Sequence, residues 1–144
     1  EVTTEGGLDV VNQLSELGMQ IAKLIDAGIE VSLFIDADLD QIQAAHDIGA
    51  PVVELHTGEY ANATARESAE NELLRLKEAS TFSQSLGLVV NAGHGLTKFN
   101  VAPIAAIEGM NELNIGHSLI ARSLMVGLPA AVKEFREIMD RGYQ

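Results

Sequence analysis

Apolar residues along the chain recur at two alternating spacings. In some segments they lie three or four positions apart, which predicts amphipathic helices, and in short runs between these segments β-branched residues predict strands. The resulting order, αβαβαβαβα, is typical of a parallel sheet with right-handed helical crossovers. The predicted strands are 31–35, 51–55, 88–91 and 112–115, and the predicted helices are 8–25, 39–48, 64–86, 101–107, a short one from 117, and 129–140.

Several predicted helices begin with recognisable capping residues. Asp38 is a suitable N-cap for the helix over 39–48, and Asn100 for the helix over 101–107. Thr64-Ala65-Arg66-Glu67 matches a capping box at the start of the long third helix. These residues set the expected helix boundaries.

Each predicted strand has one apolar face and one mixed face. Val53 and Leu55, for example, alternate with Glu54 and His56. An open sheet with helices on both sides would be apolar on both faces, so the mixed face is expected to line the mouth of a barrel. A (β/α)8 barrel needs eight strands and about 250 residues, and four strands cannot close one.

We therefore interpret residues 1–144 as a single domain with an α/β fold, the second half of a TIM barrel. The chain starts with a loop and a helix and no preceding strand, which favours a missing N-terminal part. A small open α/β sheet, complete as it stands, is the alternative.

Composition narrows the possible partners and location. The formal charge is −12 with a pI near 4.5, so nucleic acid and anionic membranes should repel the chain. Cysteine is absent, which excludes disulfides and thiolate chemistry. No secretory signal and no run of about 18 apolar residues is visible, and we expect a cytoplasmic location.

Polar residues follow each predicted strand, where parallel α/β folds place their sites. Glu54 is a carboxylate within a strand of buried type, and such a group is costly unless it is paired, protonated or functional. Glu54 and His56 should lie about 7 Å apart on one face, where they could divide proton transfer or make structural hydrogen bonds. His94 follows a glycine in a loop and could act as a general acid or base. His46 lies inside a predicted helix and is expected to be a surface or packing residue.

A metal site is the other use for this group of residues. Asp36, Glu54, His56 and His94 are of the right types, but their spacing matches no dedicated metal motif, so we predict no metal.

Two similar turns are the most informative segments. Asn91-Ala92-Gly93-His94-Gly95 and Asn114-Ile115-Gly116-His117-Ser118 each place glycine where backbone N–H groups can approach a ligand. The second precedes a short helix, and such turns at the last strands of barrels often bind phosphate. Local backbone dipoles would let an acidic protein bind an anion. Alternatively, the glycines serve only tight turns.

Five blocks resemble the pyridoxine 5′-phosphate synthase family in order and spacing, and the resemblance covers the whole chain. It implies the C-terminal three-fifths of a TIM barrel, beginning just after the fourth strand. The blocks are EVTTEGGLDV (1–10), VSLFIDAD (31–38), ELHTG (54–58), NAGHGL (91–96) and ELNIGH (112–117).

The resemblance implies condensation of 1-deoxy-D-xylulose 5-phosphate with 3-amino-2-oxopropyl phosphate to pyridoxine 5′-phosphate, inorganic phosphate and water. It implies no metal or organic cofactor, and a homo-oligomer, an octamer in the family. By the same resemblance, His94 matches a proton donor and Glu54 a carboxylate that stabilises developing charge. The implied substrate and phosphate contacts are Thr3, Gly95, Gly116 and His117.

The family's other two proton acceptors and its substrate-binding arginine lie on early strands that this sequence lacks. We therefore expect the 144-residue chain alone to be inactive. A non-catalytic phosphate-binding half-barrel is the alternative. Another barrel enzyme of phosphorylated-sugar chemistry is a third reading, against which the block 54–58 argues.

Overall fold

The computed structural model describes residues 6–142. In this part of the chain, four strands form one parallel sheet in sequential order. The α/β expectation is therefore confirmed. The strands are β1 (Ser32–Ile35), β2 (Val52–His56), β3 (Val89–Gly93) and β4 (Met110–Asn114).

Helices connect the strands and follow the last one. A 3₁₀ turn at Val11–Gln13 precedes the first of them, and each predicted helix is present with shifted ends. The helices are α1 (Leu14–Asp26), α2 (Leu39–Asp47), α3 (Gly58–Asn62), α4 (Arg66–Ser85), α5 (Val101–Ala105), α6 (His117–Val126) and α7 (Leu128–Gly142).

The two faces of the sheet differ as the alternation predicts. Apolar side chains of one face are buried in the core against the helices, whereas the opposite face carries half-buried Phe34, Glu54 and His56. Asn91 shares that face but is buried. The buried strand residues include Leu33, Ile35, Val53, Leu55, Val90 and Ala92.

A bulge shapes the beginning of β4. Val90 pairs with Met110, but Asn91 pairs with Glu112, so Asn111 is an extra residue. The strand starts at Met110, two residues earlier than predicted. Beyond the bulge, Glu112 and Asn114 lie on the same face as Glu54, because the register runs Glu54–Asn91–Glu112 across the sheet.

One predicted helix cap is confirmed. Asp38 precedes α2, and its carboxylate accepts hydrogen bonds from the backbone N–H groups of Asp40 (3.0 Å) and Gln41 (3.1 Å). This is the expected N-cap arrangement.

Two other cap predictions are wrong. α4 begins after Ala65 in extended conformation, with no side-chain cap, so Thr64 is outside the helix start. Asn100 does precede α5, but its side-chain oxygen accepts from the backbone N–H of Thr97 (2.6 Å) and closes the preceding loop instead. A short side chain can bond forward or backward, and the local sequence does not determine which.

Between residues 6 and 142, no helix is long and apolar enough to cross a membrane.

Candidate functional site

The carboxyl ends of the strands surround two neighbouring cavities, of about 640 and 530 Å³, and His94 lines both. Strand register places these ends side by side: Phe34 beside Glu54, His56 beside Gly93, and Gly93 beside Asn114. The larger cavity brings together Glu54, His94, Gly95, Gly116 and His117, whereas Asp36 and His56 line the smaller one. Thr3 lies outside the described part of the chain. The larger cavity is lined by Phe34, Glu54, His94, Gly95, Leu96, Thr97, Asn114, Ile115, Gly116, His117 and Ser118.

Glu54 is half-buried and has one specific partner. Its Oε2 accepts a hydrogen bond of 2.9 Å from Nδ2 of Asn114. Burial raises the pKa of Glu54 above its ordinary value of 4.5; the Asn114 hydrogen bond opposes this, and the nearby charge of Glu112 adds to it. A neighbouring positive charge would therefore stabilise the ionised form of Glu54.

Gly93 makes room for this carboxylate. A β-carbon at that position would collide with Oε1 of Glu54 and lie 2.9 Å from the backbone oxygen of Asn114. The sequence suggested that this glycine served a tight turn or backbone approach to a ligand. The structure adds a different reason, the space occupied by the Glu54 side chain.

His94 has an unusual backbone. Its φ of +85° lies in the left-handed region, and the next residue, Gly95, has φ +72°. The left-handed region is uncommon for residues with side chains. In this conformation the imidazole lines the 640 Å³ cavity and also a neighbouring cavity of about 530 Å³.

His56 lies beneath His94 and is held by a carboxylate. Its Nδ1 is 3.0 Å from Oδ1 of Asp36, and its ring meets Phe34 edge-on with centroids 5.1 Å apart. The centroid of the His94 ring is 4.9 Å from that of His56. When the imidazole of His56 is neutral, the contact with Asp36 places the ring proton of His56 on Nδ1. His56 thus shares a face with Glu54 as predicted but pairs with Asp36.

Two turns contribute the remaining lining of the 640 Å³ cavity. Ser118 donates a 2.5 Å hydrogen bond to the carbonyl oxygen of Leu96, which joins the turn after β4 to the turn after β3. α6 starts here, as predicted, and its first internal hydrogen bond runs from the N–H of Ile120 to the oxygen of Gly116. The N–H groups of residues 117–119 therefore have no acceptor within the helix. A β-carbon on Gly116 would meet nothing within 4 Å, so the space in front of the turn is open.

Acidic and imidazole groups of the mouth are engaged in hydrogen bonds with other side chains. Across residues 6–142, no three His, Cys, Asp or Glu side chains are arranged to hold a metal ion. Asp36 and Glu54 instead bond to His56 and Asn114, respectively. His46 lies exposed in α2, beside Asp47.

A parallel sheet with helical crossovers and a polar mouth at its carboxyl edge defines an α/β protein of the TIM-barrel class, in the form of a partial barrel. Residues 1–141 match the family model described as "Pyridoxal phosphate biosynthesis protein PdxJ". The chain belongs to this family, which confirms the resemblance found in the sequence.

Two relatives carry the name pyridoxine 5′-phosphate synthase. The protein from Neisseria meningitidis serogroup C is 58% identical over 141 residues, which cover 98% of this chain and 58% of the relative. The protein from Legionella pneumophila strain Corby is 57% identical over 140 residues, covering 97% of this chain and 56% of the relative. The chain thus spans less than three-fifths of the length of these relatives.

Proposed function

We propose that this chain supplies one side of a pyridoxine 5′-phosphate synthase active site. The reaction is the condensation of 1-deoxy-D-xylulose 5-phosphate with 3-amino-2-oxopropyl phosphate, with release of water and inorganic phosphate. The observation that carries the proposal is the 640 Å³ cavity, which is lined both by Glu54 and His94 and by the turns of Gly95 and Gly116. The names of the relatives support pyridoxine 5′-phosphate as the product.

The phosphate group of a substrate or of the product would lie at the two turns. The unbonded N–H groups at the start of α6 and its helix dipole favour an anion. Gly95 and Gly116 allow close approach of the backbone, and His117 is the first residue of the helix. Backbone recognition explains how a chain of net charge −12 would bind an anion.

The reacting carbon and nitrogen atoms would then lie near Glu54 and His94. Condensation of an amine with a carbonyl builds positive charge on nitrogen, which the Glu54 carboxylate is placed to stabilise. His94 would donate a proton to a departing oxygen as general acid. Both side chains line the same cavity as the phosphate turns, so one bound molecule can reach all of them.

A phosphate-binding half-barrel without turnover is the second candidate for the isolated chain. Its support is that both turns proposed to bind phosphate lie within these 144 residues, whereas the relatives are much longer. We propose that the chain alone binds phosphate esters and that catalysis requires the remainder of the family's barrel.

Calorimetry of the folded chain with pyridoxine 5′-phosphate and with inorganic phosphate tests the binding site. A Gly116→Ala variant should keep its melting temperature, because the new methyl group meets nothing. It should lose about tenfold or more in affinity, because the methyl group would occupy the anion's space. Gly18→Ala is the matched control. Gly18 lies in α1, away from the site, and its new methyl group would make only ordinary contact with the side chain of Ile48. No binding by folded protein, or unchanged binding by Gly116→Ala, would reject the site.

Turnover is tested by joining the chain to the part of the Neisseria meningitidis relative that it does not match. Product formation from the two substrates is expected from this chimera and not from the 144-residue chain. A folded chimera that binds phosphate but forms no pyridoxine 5′-phosphate would favour the half-barrel alternative.

A further inference from the structure

We propose that Thr57 is a positioning residue whose hydroxyl group holds His94 in its left-handed backbone conformation and so aims the imidazole at the cavity. Only the kinetic consequence of this inference rests on the proposed function. The conformational part concerns the chain itself and can be tested without turnover.

Thr57 makes an unusual set of contacts for a residue at the end of a strand. Its side chain is fully buried, directly after β2. The hydroxyl oxygen lies 2.6 Å from the carbonyl oxygen of Gly93 and 2.5 Å from that of His94. Because carbonyl oxygens only accept, the single hydroxyl proton is shared between them. The backbone N–H of Thr57 also donates to Gly93, at 2.8 Å.

The hydroxyl group of Thr57 does not cap the helix that follows it. Thr57 occupies the N-cap position of α3, where a threonine oxygen ordinarily accepts from a backbone N–H of the first turn. No such bond is made here. The side chain instead reaches sideways to the loop after β3, so its hydrogen bonds serve the neighbouring loop and not its own helix.

The loop after β3 contains the left-handed backbone of His94. His94 is the non-glycine residue with positive φ in the described chain. Conformations of this kind persist only when surrounding contacts determine them. The Thr57 hydroxyl bonds to the carbonyl groups immediately before and at His94, which fixes the orientation of the peptide planes that define its backbone.

The side chain of His94 is positioned as a consequence. Its ring lies 4.9 Å from that of His56 and 6.5 Å from that of Phe34, measured between centroids. If His94 relaxed to negative φ, its β-carbon would change direction and the ring would leave this tilted arrangement with His56 and Phe34. Thr57 therefore affects the reaction through His94 and touches none of the reacting atoms.

The first experiment measures the backbone of His94 by NMR in the 144-residue chain. Thr57→Val removes the hydroxyl at nearly constant volume, and Thr57→Ser keeps it. We expect the Cα and Cβ shifts of His94 to report left-handed backbone in the original chain and in Thr57→Ser, and to lose that signature in Thr57→Val. Thr81→Val is the control, because Thr81 also bonds to a backbone oxygen, that of Lys77, but within α4.

Thr57→Ala replaces the valine variant if valine does not fold. Retention of the left-handed signature in the variant without a hydroxyl overturns the proposal. Its loss in Thr57→Ser also overturns it, because the methyl group and not the hydroxyl would then be responsible.

The second experiment measures kinetics in the chimera described above. Thr57→Val should lower kcat by about tenfold to a hundredfold, the effect of misplacing a reacting group, with KM for either substrate nearly unchanged. Thr57→Ser should restore most of kcat. An equal loss in both variants, or a change confined to KM, rejects the positioning role. If the unsubstituted chimera has no activity, the proposed function fails while the NMR comparison still decides the conformational claim.

Discussion

The side chain of Asn114 at the end of β4 donates a hydrogen bond of 2.9 Å to the carboxylate of Glu54, two strands away in β2. The bond crosses β3 at Gly93, where a side chain would collide with both partners. Three neighbouring strands thus cooperate to place one carboxylate at the mouth. Each of the three residues gives a separate prediction.

Asn114→Ala should raise the pKa of Glu54 further. Burial is the main cause of the existing upward shift, and the Asn114 hydrogen bond is the contact that opposes it. Carbon-detected NMR titration of the Glu54 carboxyl group measures the change. Asn111→Ala is the control, because Asn111 bonds to Asn91 and not to Glu54. An unchanged or lowered pKa of Glu54 in Asn114→Ala would show that the hydrogen bond does not favour the ionised form.

Relative to the original chain, the Glu54→Gln variant should gain more stability at neutral pH than at acid pH. The folded-state pKa of Glu54 is raised, so its contribution to stability is present below the ordinary value of 4.5 and is lost as pH rises through the folded-state value. Glutamine does not ionise and avoids that loss. Urea unfolding between pH 4 and pH 8 should show an advantage for the variant that grows with pH. A constant difference between the two proteins would contradict the assignment.

Gly93→Ala should destabilise the fold by about 1–3 kcal/mol, the usual cost of overpacking. The added methyl group would meet Oε1 of Glu54 and the backbone of Asn114. Gly116→Ala offers the contrast, since its methyl group enters open space. Denaturant unfolding of both variants distinguishes a local steric cause from a general intolerance of alanine at these turns.

His94→Asn in the chimera should leave the fold intact and lower turnover by about 10²–10⁴-fold, the usual contribution of positioned proton transfer. The side chain is partly exposed at the mouth, so its loss leaves little unfilled core volume. Steady-state product formation and a melting curve measure the two expectations. Near-normal turnover would remove His94 from the mechanism.

The sequence alone predicted the strands and most helices, because alternation and helical spacing reflect burial directly. Val53 and Leu55 are buried and Glu54 is not, as their alternation requires. The confirmed cap at Asp38 follows from equally local chemistry. The wrong cap at Thr64 and the unpredicted α3 lie together in 57–66, where the chain turns twice within a few residues.

Cross-strand contacts could not be obtained in the same way. The Asn114–Glu54 bond depends on two registers and on the bulge in β4, none of which has a signature in a single sequence. Thr57 belongs to the block ELHTG (54–58), but its contact with the carbonyl group of His94 arises between residues 37 positions apart. The sequence therefore predicts which residues belong to the site better than it predicts the contacts between them.

The extra residue at the start of β4 has a consequence for length variation. Residues 111 and 112 both point away from the core, so loss of Asn111 would leave Met110 inward, Glu112 outward and Leu113 inward, as they are now. Loss of Leu113 instead would send the Asn114 amide toward the helices. A one-residue deletion at Asn111 is thus compatible with the pairing partner of Glu54, whereas the same deletion two positions later removes it.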